Sequence, residues 1–219
     1  MRYGLVLLVI VGLLLVAVRQ ASKPPQFSRV EVIVSQLLPV EEKIEDRDWI
    51  PAGRLATAIG RQLRELQPDL EQPASQDLAK AQALLASLER KLESGDASGS
   101  YQAFFDLRQQ LFDLLEKVDY PSAPVLLVAR HDLKKALEAA GKEKWKDVAH
   151  ELKEVEISYR SALPELVAKG ISQQQTADVL VKLSQVWDAM QDGERSNLAA
   201  RLQELDHLLE LQQNGEALD

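Results

Sequence analysis

From residue 27 onward apolar side chains recur every three or four positions, the spacing of one face of an α-helix. No stretch alternates with period two for long enough to form a sheet. Val30-Glu-Val-Ile-Val is the one ambiguous run, and the Ser35-Gln-Leu-Leu after it favours a helix. Prolines and glycines punctuate the pattern and place helices at about 28–46, 51–67, 75–94, 99–119, 123–140, 144–169, 172–191 and 194–213. Ser172 and Gln175 have capping-box spacing, and Asp192 stands where it can cap the last helix. Short connections make successive helices antiparallel neighbours, so the fold class is all-α, an antiparallel helical bundle.

A different pattern opens the chain. Gly4 to Val18 holds no polar side chain, and with Tyr3 the run is sixteen residues. At a rise of about 1.5 Å per residue it spans about 24 Å, slightly less than the hydrocarbon core of a bilayer. Neither candidate cleavage position carries small residues at −3 and −1, since Arg19 and Leu15 stand there. The run therefore reads as an uncleaved transmembrane signal anchor over residues 1–20, with Arg19 and Lys23 able to snorkel to the interface. Positive charge is balanced across the run, and the very short N-terminal tail favours an N-inside, domain-outside arrangement. Residues 21–26, Ala-Ser-Lys-Pro-Pro-Gln, form a linker to the helical region.

Sliding the chain on itself by 96 positions brings Leu37 onto Leu133, Glu42 onto Glu138, Trp49 onto Trp145 and Pro68 onto Pro164. Between them Ala52, Ala56, Ile59 and Leu63 fall on Val148, Leu152, Val155 and Tyr159, one apolar stripe at helical spacing. Further on the leucines match best at 94, as Phe104 with Leu198 and Leu111 with Leu205. Residues 27–120 and 121–214 are thus expected to be two tandem copies of one helical unit, followed by a tail at 215–219. Each copy has a lead-in helix, a turn ending at Trp49 or Trp145, a longer helix broken near Pro68 or Pro164, and a hairpin across Gly95 or Gly193. Two small bundles or one merged, elongated bundle would satisfy this pattern equally.

Composition narrows the function classes. The 219 residues include no Cys and only three His, which excludes a disulfide-stapled module and a zinc–cysteine site. The net charge is −8 for the chain and −10 without residues 1–20, a balance that repels nucleic acid and anionic lipid alike. No nucleic-acid partner is expected. The first copy carries −6 and the second −3, an asymmetry that hints at a basic partner surface for the first.

The sharpest candidate chemistry is a pair of acid-x-x-His motifs, Asp147 to His150 and Glu204 to His207. Di-iron bundles use that spacing with every ligand facing inward. At about 100° per residue, His150 lies about 180° from the Val148, Leu152 and Val155 stripe, and His207 about 160° from its leucine stripe. His131 likewise opposes Leu126, Leu133 and Leu137. All three histidines are thus expected to face water. Gly-x-Ser-x-Gly, phosphate-binding glycine loops and His-Glu-x-x-His are absent, so no catalytic, cofactor-binding or metal-ligating residue is assigned and no enzyme is expected.

Trp145 and Trp187 lie on or beside apolar stripes and read as packing residues, whereas Trp49 stands at a turn before Pro51. The layout around Trp49 and Trp145, with its leucine spacing, resembles bacterial single-pass, membrane-anchored helical domains of unknown function. It departs from them in being a tandem. That resemblance implies a bacterial envelope protein.

The sequence leads to the expectation of an extracytoplasmic helical scaffold or protein-interaction module, bound to the membrane through its N-terminal helix. The competing expectation is a bundle that holds a small apolar ligand or lipid where Ala52, Ala56 and Gly60 leave room.

Overall fold

A computed structural model describes residues 26–192 and 195–215. The predicted anchor, the linker through residue 25, the hairpin glycine Gly193 and residues 216–219 lie outside the described residues. Within them are eight α-helices: α1 (Gln26–Glu45), α2 (Trp49–Leu66), α3 (Ala74–Ser94), α4 (Ala97–Lys117), α5 (Leu126–Gly141), α6 (Trp145–Ala168), α7 (Gln173–Gln191) and α8 (Arg195–Gln213). A single 3-10 turn, Gln67–Asp69, follows α2. Among the described residues no helix is long and apolar enough to cross a membrane.

Side-chain caps mark the starts of α4 and α7. The Asp96 carboxylate accepts from the Gly99 N–H and caps α4, and Ser172 with Gln175 closes the expected capping box on α7. At the end of α3, Gly95 takes the left-handed conformation at φ 66, and its backbone lies beneath the Trp49 indole. Pro39 sits inside α1 and Pro164 inside α6, so α6 is not broken near Pro164 as the sequence suggested. The missing proline N–H removes one helical bond, yet Leu166 two residues onward is fully buried and holds the helix end against the core.

Packing divides the helices into two cycles. Helix α1 packs on α2 and α4, with α3 joining α2 to α4. Helix α5 packs on α6 and α8, with α7 beside α8 and meeting α6 only over a short stretch. One buried cluster is built from Val30 to Tyr120 with Leu127 added, and a second from Ala123 to Leu209. The architecture is an all-α pair of four-helix bundles, and they touch through α1 and α5.

Equivalent positions do equivalent work in the two. Val30, Ile33, Leu37, Val40 and Ile44 of α1 are buried, as are Leu126, Ala129, Leu133, Ala136 and Ala140 of α5, each 96 residues on. The turn after α1 bonds Asp46 N–H to the Glu42 carbonyl, Arg47 to Ile44 and Asp48 to Lys43. The turn after α5 repeats this as Lys142 to Glu138, Glu143 to Ala140 and Lys144 to Ala139. Arg47 and Glu143 both sit at φ 56. In the fourth helices the buried residues Phe104, Leu107 and Leu111 correspond to Leu202, Leu205 and Leu209 at a spacing of 98, the spacing of the helix starts. The match at 94 is one helical turn out of register, because leucines three and four apart coincide again after a shift of one turn.

The small residues of α2 leave no gap at Gly60. A Cβ there would stand 3.2 Å from Leu85 Cδ2, so α3 closes onto α2 instead of leaving a void. In the second bundle Val148, Leu152 and Tyr159 occupy the matching stripe, and α6 stands off from α7. The Tyr159 hydroxyl fills part of that separation, donating to Gln212 Oε1 at 3.0 Å, while Gln212 Nε2 donates to the Gln175 carbonyl at 2.9 Å.

Candidate functional site

Charged side chains gather between the bundles, along the face α1 turns to α5. Glu31, Ser35, Leu38 and Glu42 line clefts on the α1 side, and Leu127, His131, Lys134 and Glu138 line them on the α5 side. Each of these residues is 96 positions from its counterpart, so both helices use the same surface stripe, one spacing outside the core stripe. The two stripes face one another as in an isologous contact. Glu31 lies near Arg130, and Glu42 near His131 and Lys135, so the helices run side by side in the same direction.

The pairing is acid on base. Glu42 Oε1 stands 3.4 Å from His131 Nε2 and 3.8 Å from Lys135 Nζ, and Lys135 reaches Glu151 Oε2 at 2.9 Å. Glu41 meets Arg108 of α4 at 3.7 Å. At one end Gln213 Nε2 donates to Glu31, and Arg130 is held by Asp206 at 3.1 Å and Glu210 at 3.5 Å. Lys169 Nζ also donates to the Tyr120 carbonyl at 2.8 Å, tying the end of α6 to the connection between the bundles.

Burial shapes the protonation of these groups. It raises the Glu31 and Glu41 carboxyls against the pull of Gln213 and Arg130 on the first and Arg108 on the second. It lowers His131 against the attraction of Glu42. Burial alone would lower Lys135, but the hydrogen bond and charge of Glu151, with Glu42 and Asp132, raise it. Asp132, only 8% exposed, is pushed up to about 7 by burial, with Glu151, Glu41 and Glu154 adding to the rise and Lys135 opposing it.

The structure therefore corrects one histidine. His150 and His207 are exposed, as their angles to the apolar stripes imply. His131 faces the other bundle instead of water, because the side of α5 opposite its own core is covered by α1. The acidic bias of the first copy likewise meets a basic surface, and that surface is α5 of the same chain. A His–Glu pair could serve as a general base, yet among the described residues no hydroxyl is hydrogen-bonded to His131, and the pair joins two helices. Among the described residues no group of three or more His, Asp or Glu is arranged to hold a metal ion.

Two clefts of about 590 and 340 Å³ flank the seam, lined by charged side chains that are mostly paired with one another. A broader groove of about 780 Å³ runs between α2 and α3, with Trp49, Ile50, Arg54 and Arg61 on one wall and Glu89 and Glu93 on the other. Ile50 is 72% exposed. Trp145 and Trp187 pack against the second core and Trp49 against the first. Sequence reasoning missed the seam. Its signal was a second stripe on α1 and α5, with Leu38 and Leu127 among charges of opposite sign.

No protein-family model, curated protein or solved structure matches the chain.

Proposed function

We propose that this chain is a membrane-anchored, extracytoplasmic scaffold whose helical surfaces hold a protein partner. The all-apolar run Gly4 to Val18 supports the anchor and the single-pass placement. The observation that carries the interaction reading is Ile50. It is a large aliphatic side chain left in water beside Trp49, at the mouth of a groove whose walls carry arginine on one side and glutamate on the other. We further infer that residues 27–120 and 121–214 are copies of one unit. The turns at 42–48 and 138–144 support this, since the same bonds fall 96 positions apart, each just before a helix that opens on a tryptophan, Trp49 or Trp145.

The test uses the full chain in its own membrane, with a photo-crosslinking residue at Ile50 and, as a control, at exposed Ser184 of α7. A discrete adduct at position 50, absent at 184 and lost when Thr57 in the same groove becomes Glu, is the expected result. Equal labelling at both positions would overturn the reading.

A further inference from the structure

We propose that the groove between α2 and α3 is the contact through which two copies of this chain pair, about a twofold axis that runs along the two helices. The inference rests on the reading of this groove as a partner surface and names that partner as a second copy. The two walls are of opposite sign, with Arg54 and Arg61 on α2 and Glu89 and Glu93 on α3. Among the described residues none of these four side chains makes a hydrogen bond or ion pair. At the seam between the bundles acid and base meet directly. Here they face one another across an open groove, and each wall lacks its counter-charge.

Three contacts set the register of the walls. The Trp49 indole lies beside Gly95, Gly60 faces Leu85 and Glu89, and Gln82 Nε2 donates to the Leu63 carbonyl at 3.3 Å. Helix α3 therefore runs opposite to α2, with Arg54 within about a turn of the level of Glu93 and Arg61 about a turn from that of Glu89. Because side chains lean toward the N-terminus of their own helix, each arginine leans toward the level of its glutamate. A twofold axis along the helices keeps every level and exchanges the walls, so α2 of one copy lies over α3 of the other. Arg54 and Arg61 of each copy then meet Glu93 and Glu89 of the other copy. An axis across the helices would set α2 on α2 and like charges on like, so charge selects the first arrangement.

The apolar groups agree with that axis. Exposed Ile50 of each copy comes to the end of α3 on the other copy, where Trp49 and Leu92 border the groove, and leaves water. Gly53 lies in the α2 wall, and a Cβ built there would meet nothing within 4 Å, so a second backbone can approach closely. Arg29 of α1 donates to the Glu65 carbonyl near the end of α2, so α1 runs opposite to α2. The same axis therefore leaves the first residues of both α1 helices at one end of the pair. Two chains anchored in one bilayer through Gly4 to Val18 require that placement. Confinement to one membrane also raises the effective concentration of the copies, so a contact smaller than that of a soluble dimer suffices.

The test uses the full chain in its membrane, expressed as two differently tagged copies with a photo-crosslinking residue at Ile50. The expected product is an adduct of two chains that carries both tags. Arg54→Glu with Arg61→Glu, or Glu89→Arg with Glu93→Arg, should each lower that adduct at least about tenfold when both copies carry the change, with helical circular dichroism unchanged. One copy of each kind, expressed together, should restore it to within about twofold of the wild type, because every facing pair is again of opposite sign. An adduct with a different protein would overturn self-pairing and leave the groove as a partner surface, whereas no adduct at position 50 would overturn both. A two-chain adduct that survives the charge changes, or one that is lost and not restored in the mixed pair, would overturn the twofold arrangement.

Discussion

At Arg47 and Glu143 the backbone turns through φ 56, a region that costs a side-chain-bearing residue about 1 kcal/mol. Both side chains are exposed, so nothing in their surroundings repays that cost. Arg47→Gly and Glu143→Gly should each stabilise the fold by about 0.5–1 kcal/mol, read as a rise in the denaturant midpoint with unchanged slope. A fall in midpoint at either site would contradict the assigned turn. Residue-level facing was legible for His150 and His207, where the helical angle alone sets exposure. It failed for His131, because an angle says where a side chain points and not which helix lies there.

Among the elements, the stripes of α1, α2, α5 and α6 show how much of a helix one dimension can specify. Their buried residues follow the apolar period, and their ends fall within about three residues of the expected positions. The distance between two helices depends on side-chain size at the contact, as α2 with α3 shows against α6 with α7. Gly60→Leu should therefore cost about 1–3 kcal/mol, because Leu85 already occupies the space. Glu156, the residue 96 positions on, bonds to Arg160 on the surface, and Glu156→Leu should change stability by about 0.5 kcal/mol or less. Equal losses at the two sites, measured by chemical denaturation, would argue against the closer approach of α2 and α3.

For the whole molecule, two cores joined by a narrow charged contact should open separately. Leu63→Ala and Leu152→Ala each empty a fully buried site, one in each core, and should cost about 2–5 kcal/mol locally. Native-state hydrogen exchange should then quicken across α1 to α4 for the first and across α5 to α8 for the second. Acceleration throughout the chain from either variant would show a single cooperative unit.

The sequence by itself determined the helices and their apolar faces, since each depends on periodicity along one chain, and it displayed the coincidences at 96 positions that suggest a repeat. It also located the apolar run that reads as an anchor. Only the tertiary structure decided that α1 and α5 turn their second stripes toward each other, that His131 and Asp132 leave water, and that α3 fills the room beside Gly60. The reason is physical. Helix formation and amphipathic facing are local, whereas burial of a charge and closure of a gap depend on a partner helix that neither residue spacing nor composition identifies.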